Sequence, residues 1–370
     1  MALEVEAPDR TKDGIAGQAF RGSLIGIGAS AATLILGFLR SVLLARFLAP
    51  EHFGILTLGL FYIGLTAQFR ALGLDRAIIH RQDVTEQALG TYFTLRVATL
   101  LGSLGLLLVA VLLLGRVYSS PLLPIGILIA LAGIDLVKGL STIQETLLSK
   151  DLAFRSLAIT DIAASATMTI VAPLLAWVGW GVWALVAEQA SGILVRFVLT
   201  WFVFGRWRPR LTWDATMVRW LLNYGRSAWG ASNLAFLLDR FDDFWIGTTL
   251  GRTPLGYYSR AYEFARYPRR VISNPLVGVF YPIFARLQAD RLRLSQAFYR
   301  AAHIILRSGF LIAGAFSLVM PEFINLVIGE QWAPMLLTFR LMLVYTLLDA
   351  LLMLGGNLLM AVGQPQRLCG

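Results

Sequence analysis

The sequence predicts an all-α protein: a polytopic transmembrane helical bundle of about ten spans in two lobes. Three observations carry this. Of the 370 residues 57% are hydrophobic and 15% charged, whereas a soluble domain is about a quarter charged; mean hydropathy is +0.68. Apolar stretches of about 20 residues, each long enough to cross a hydrocarbon core of ~30 Å as a helix, recur along almost the whole chain. A short motif, finally, occurs twice. Leu48-Ala-Pro-Glu-His-Phe53-Gly54 and Leu250-Gly-Arg-Thr-Pro-Leu255-Gly256 match in their leucine, apolar residue and glycine at an offset of 202 positions.

Taken in order, the spans fall near 23–47, 54–74, 89–115, 122–147, 156–178, 181–204, 225–249, 256–281, 299–320 and 335–360. Residues 1–22 lack the basic and short apolar regions of a cleaved signal peptide and read as a cytoplasmic tail. Fifteen Lys and Arg fall in one set of loops and termini, among them Arg10, Arg81, Lys150, Arg155, Arg208, Arg210 and Arg293; the opposite set holds little beyond Arg116 and Arg252. By the positive-inside rule that asymmetry places both termini in the cytoplasm. Residues 206–223, where Trp207, Trp213 and Trp220 alternate with arginines, read as an amphipathic interfacial linker. It separates a six-helix lobe at 23–205 from a C-terminal lobe at 224–370 of about four helices.

The formal net charge of +10 does not indicate nucleic acid, because the basic residues are scattered singly instead of forming a stripe. The only cysteine is Cys369, and His52, His80 and His303 stand apart, so neither a disulfide framework nor a metal cluster is expected. No catalytic residue and no cofactor is expected either.

The informative residues are charges within the spans, because an ionised side chain at mid-membrane costs several kcal/mol unless it faces protein or water. Arg40, Arg70 and Arg96 lie in the first three spans. Asp135, Lys138, Thr142 and Glu145 share one face of the fourth, and Asp161 and Glu188 occupy the fifth and sixth. Asp239, Arg240, Asp242 and Asp243 follow in the seventh, and Arg260, Glu263 and Arg266 begin the eighth. Pairs such as Asp135 with Lys138 or Glu263 with Arg266 would lock helices together. The set as a whole points instead to a polar interior cavity and to transport. Arginine binds phosphate oxygens in a bidentate fork, so Arg40, Arg96, Arg260 and Arg266 are the candidate ligands for an anionic substrate. Asp135, Lys138, Asp161, Glu188, Asp239, Asp242 and Glu263 are candidate polar-cavity or ion-coupling residues.

Several strings resemble the polysaccharide and O-antigen flippases, the oligosaccharidyl-lipid and polysaccharide exporters of the multidrug/oligosaccharidyl-lipid/polysaccharide superfamily. They are GFLRSVLLARFLAPEHFGILTL at 37–58, GLDRAIIHR at 73–81, GWGVWALVAEQ at 179–189, WRPRLTW at 207–213, LGYYSRAYEFARYP at 255–268 and GEQWAP at 329–334. The resemblance implies a V-shaped pair of six-helix lobes around a cavity. It also implies that an undecaprenyl-diphosphate-linked oligosaccharide moves from the inner to the outer leaflet of a bacterial inner membrane by alternating access. The partners it implies are that lipid-linked oligosaccharide, membrane lipids, and a polysaccharide polymerase and glycosyltransferases. Family members have twelve to fourteen helices, and this chain stops at Gly370 after the tenth; the expectation is an incomplete second lobe. Alternatives are a multidrug-type cation extruder of the same superfamily, which would favour an acidic cavity, and an inactive fragment. A membrane glycosyltransferase would need longer outward loops than 179–181 or 251–254.

Overall fold

The computed structural model describes residues 12–81, 85–117, 124–205 and 207–362. The tail before Lys12, Arg206 and the C-terminal segment with Arg367 and Cys369 lie outside the described residues. Twelve α-helices follow one another: α1 (Lys12–Phe47), α2 (Pro50–Ala71), α3 (Leu74–His80), α4 (Glu86–Val117), α5 (Ile125–Lys150), α6 (Phe154–Trp177), α7 (Val182–Val198), α8 (Ala215–Thr249), α9 (Arg252–Ala265), α10 (Asn274–Leu287), α11 (Arg291–Phe323) and α12 (Leu336–Ala361). Among the described residues there is no strand. In hydrocarbon this is the expected solution, since a helix satisfies its own backbone hydrogen bonds.

Among the described residues seven segments are long and apolar enough to span a membrane: Ile25–Phe47, Glu86–Leu107, Ile125–Lys150, Phe154–Trp177, Val182–Val203, Arg291–Ile328 and Glu330–Ala361. The spans expected at 54–74, 225–249 and 256–281 are not among them, so the count of ten is not reached by this measure. The eighth expected span is also not one helix. It breaks into α9, a π-helical turn at Arg269–Ser273, and α10. Pro268 lies at the break, where its ring removes an N–H and disfavours helical backbone in the residue before it. Large apolar side chains remain on the outside, as at Leu318 (78% exposed) and Leu326 (80%), as befits a surface solvated by acyl chains.

Two compact units form. The first takes the chain through Leu48 together with Ile55–Gly251; the second takes Ala49–Gly54 together with the chain from Arg252 onward. In the first unit α1 packs on α6, α6 on α7, α7 on α5, and α3 and α4 on α8. One of its cores joins Ile78, Tyr92, Ile143 and Leu221. The first unit thus continues through 206–223 and includes α8, whose start is fixed by Asp214; the Asp214 carboxylate accepts from the Thr216 and Met217 amides at 2.8 and 3.3 Å. Such an N-cap satisfies two of the donors a helix start leaves unpaired.

In the second unit α12 packs against α9, α10 and α11, with a core of Phe284, Ile305, Ala350 and Leu354. Trp332 is fully buried and meets Phe53 edge-on at 5.4 Å and Tyr257 at 6.1 Å. The repeated motif packs against itself here. A Cβ on Gly54 would land on the Arg252 carbonyl, and a Cβ on Gly256 would land on the Pro50 carbonyl. Residues 50 and 252, like 54 and 256, are 202 apart, so the two contacts are one contact made twice. That reciprocity is the mark of a local two-fold. Glu51 and Arg252 add an ion pair at 3.3 Å.

Candidate functional site

In the first unit the charges cross between helices in pairs. Arg40 on α1 reaches Glu188 on α7, with Nε 2.8 Å from Oε1, and its Nη1 donates to the Ser165 carbonyl of α6 at 3.4 Å. Arg70 on α2 grips Asp135 on α5 through both nitrogens, Nη2 at 2.7 Å from Oδ1 and Nη1 on Oδ2. Arg196 on α7 lies 2.7 Å from Asp161 on α6 and 3.6 Å from Glu145 on α5. Asp135 therefore does not pair with Lys138: its partner comes from another helix. Lys138, one turn further along α5, is exposed. A residue three positions away on the same helix lies beside its neighbour, but a guanidinium from α2 closes a bidentate fork, which is the stronger arrangement.

Arg96 on α4 is 5% exposed and pairs with Asp75 on α3 at 3.3 Å. The Tyr92 hydroxyl donates to the same carboxylate at 2.6 Å. Arg96 Nε and Nη1 are shut from solvent and have no hydrogen-bond partner among the described residues. Near the end of α8, Asp239 is exposed, the Arg240 guanidinium donates to Asp243 at 3.1 Å, and Asp242 Oδ1 accepts from the Asp243 amide at 2.9 Å.

The second unit gathers its charges on α9 and the π-helical turn. Arg260 stacks on the Phe53 ring at 4.5 Å, Arg266 on Tyr262 at 5.1 Å, and Arg270 on Tyr267 at 5.6 Å. Glu263 takes Arg270 as partner, 2.8 Å away, where the sequence suggested Arg266. The break at Pro268 explains the change, because it brings Arg270 back over the last turn of α9. Arg269 pairs with Asp349 of α12.

The partners of the arginines distinguish the two sets. In the first unit four arginines (Arg40, Arg70, Arg96, Arg196) face five carboxylates (Asp75, Asp135, Glu145, Asp161, Glu188) and are fully compensated. Around α9 Arg270 pairs with Glu263 and Arg269 with Asp349, and Arg260, Arg266 and Arg270 each lie over an aromatic ring. Stacking on aromatic faces leaves guanidinium N–H groups in the ring plane available to an anion. Among the described residues no group of His, Cys, Asp and Glu could hold a metal ion. Sequence reasoning missed Asp75, Arg196, Arg269, Arg270 and Asp349. Arg196 was legible as a lone charge in an apolar span; the others lie at helix breaks or pair only in three dimensions.

Comparison with known proteins places these features in context. The family model described as polysaccharide biosynthesis protein matches residues 43–337. The succinoglycan biosynthesis transport protein ExoT of Rhizobium meliloti (strain 1021) is 29% identical over 81% of this chain and 60% of its own length. The lipopolysaccharide biosynthesis protein WzxC of Escherichia coli (strain K12) is 27% identical over 88% of this chain and 66% of its own. The chain thus spans about three fifths to two thirds of the length of these relatives. Among solved structures, the inward-facing form of a multidrug resistance MATE family transporter of the MOP superfamily superposes with a TM-score of 0.66 at 14% identity, covering 90% of this chain and 82% of that one. The lipid II flippase MurJ, inward closed, gives 0.60 at 12%, over 94% and 77%. The fold is of this transporter type, and the chain is a multi-pass membrane protein.

Proposed function

This chain belongs to the polysaccharide biosynthesis protein family, and from that premise we propose that it moves an undecaprenyl-diphosphate-linked oligosaccharide from the inner to the outer leaflet of a bacterial inner membrane by alternating access. The observation that supports the reading is the set of arginines around α9 lying over aromatic rings, Arg260 on Phe53, Arg266 on Tyr262 and Arg270 on Tyr267. A diphosphate is a doubly charged anion with oxygens on all sides, and forked donors held on aromatic rings suit it. Arg260 and Arg266 are its ligands in the second unit, and Arg96, on α4 of the first, is a separate candidate for an anion. Arg40 is held by Glu188 and serves as a relay between α1 and α7. Asp135, Asp161 and Glu188 neutralise arginines, and Asp239, exposed on α8, is the ion-coupling candidate. The N-terminus faces the cytoplasm, and 206–223 lies along that interface. The polymerase and glycosyltransferases that make and use the glycan act next to it. A cation extruder would favour an acidic cavity, so the multidrug reading is second.

The test is restoration of surface polysaccharide in a strain lacking its own flippase. Arg260→Ala and Arg266→Ala should abolish it with membrane levels unchanged, and Arg260→Lys should restore only part, since a point charge cannot make the fork. Full activity of both alanine variants would sink the diphosphate assignment.

A further inference from the structure

In the second unit, α11 turns a basic stripe away from its neighbours. Arg293, Gln296, Arg300, His303 and Arg307 follow one another at intervals of three, four, three and four, which lines them up along one face of the helix. All five are exposed. The buried residues Ala301, Ile305, Gly309 and Ala313 repeat every four on the opposite face, the side on which α10 and α12 pack. Among the described residues Arg293 pairs with Asp290 at 3.2 Å, while Arg300, His303 and Arg307 enter no ion pair. We propose that this face docks an anionic glycerophospholipid. Its phosphate is held by Arg300 and Arg307 with His303 between them, and its acyl chains lie on the apolar side chains alongside. None of these residues belongs to the arginine set around α9, so the proposal does not rest on the flipping reaction.

Charge and flanks together name the occupant. From Arg291 to Pro321 α11 carries no carboxylate, so the helix offers an ammonium group nothing and a phosphate several donors. Guanidinium forks suit phosphate oxygens, and an imidazole adds an N–H. Beside the stripe lie Leu292 (71% exposed), Tyr299, Ile304, Phe310 and Leu311 (74%), a surface fit for acyl chains. A free anion would have to reach cations that lie among hydrocarbon. A lipid carries its phosphate there on its own glycerol and covers the apolar flanks with the same molecule.

Depth separates the stripe from an ordinary topology signal. Basic residues that set orientation sit in loops and at span ends, whereas Arg300 and Arg307 lie nine and sixteen residues into α11, within a segment apolar enough to span. The span expected from the sequence opens near 299, so the two arginines stand at the level of the headgroups and just below it. An ionised side chain at that depth is costly without water or a counter-charge, and its stem lies along apolar surface while its head turns toward the interface. Seven residues separate the arginines, a rise of about 10 Å, and both heads can turn to one phosphate with His303 midway.

The test uses the full chain in vesicles of dioleoyl phosphatidylcholine, with Cys369→Ser and one introduced cysteine, Ile304→Cys, carrying a bimane label beside the stripe. Quenching by lipids with brominated chains reports which lipid lies there. Brominated phosphatidylglycerol should bind at least about fivefold more tightly than brominated phosphatidylcholine, the preference that one arginine near the surface gives. Brominated phosphatidylethanolamine should behave as phosphatidylcholine does. Arg300→Gln/Arg307→Gln should abolish the preference, and Arg300→Lys/Arg307→Lys, which keeps the charge, should retain most of it. A label at Leu318→Cys, further along α11 where the helix carries no cation, should show no preference. Equal quenching by the three lipids at 304 overturns the proposal, as does a preference that survives the glutamine pair or appears equally at 318. Displacement of phosphatidylglycerol by undecaprenyl diphosphate added in equal amount to the protein would assign the face to a diphosphate lipid and overturn it too.

Discussion

Arg70 and Asp135 offer the sharpest test of how this bundle is held. Their side chains are 7% and 12% exposed, and the fork between them joins α2 to α5 within the first unit. Removing one partner leaves an ion buried without its counter-charge, which costs about 3–5 kcal/mol. At about 1.4 kcal/mol per tenfold, Asp135→Leu alone should shift the folding equilibrium by roughly two to three orders of magnitude. The melting temperature in detergent, followed by tryptophan fluorescence, should fall by about 6 °C or more. Arg70→Leu should do the same. The double variant Arg70→Leu/Asp135→Leu removes both charges and should recover most of the loss, because an apolar pair of similar volume replaces a buried ion pair at little cost. A double variant as unstable as either single one would refute the idea that the two charges matter chiefly to each other. Single variants that melt like the unaltered chain would refute the burial.

Four further outcomes can be checked, two on purified protein and two in cells. Gly256→Ala places a methyl on the Pro50 carbonyl and should cost about 1–3 kcal/mol; Gly230→Ala, with open space around it, should be neutral or slightly stabilising on an α-helix. Asp214→Ala removes the two-amide cap of α8 and should cost about 1 kcal/mol, read as a lower melting temperature. Glu188→Gln should release Arg40 from its partner and slow flipping while membrane levels hold; unchanged transport would show the pair to be packing only. For orientation, Arg210→Cys in a Cys369→Ser background should react in intact cells with a membrane-permeant maleimide and not with an impermeant one.

The all-α character and most span positions were legible because hydropathy is a one-dimensional property. A run of about 20 apolar residues announces itself without knowledge of its neighbours. The interruption at Pro268 was also written in the sequence, yet the apolar residues on either side of it concealed the break. The buried charges were visible as charges; their partners were not. Nothing local distinguishes Lys138 from Arg70 as the counter-ion of Asp135, since the first is three residues away and the second is 65, and only the approach of the Arg70 side chain to α5 in three dimensions decides. Glu263 shows the same limit at shorter range, because a kinked backbone, and not helical spacing, delivers Arg270 to it.

The self-contact of the repeated motif ties together stretches of chain that are remote in sequence. Each glycine is shaped by the backbone of the other copy, so neither loop is free to change by itself. A bulkier residue at 54 has to be answered by movement at 252, and one at 256 by movement at 50. Drift within one copy of the motif is therefore held in check by the other, long after the rest of the two repeats has diverged. For anyone recombining segments of such proteins the loops form a single module: a chimera that exchanges residues 48–54 without 250–256 would bring together two surfaces that were never moulded on each other.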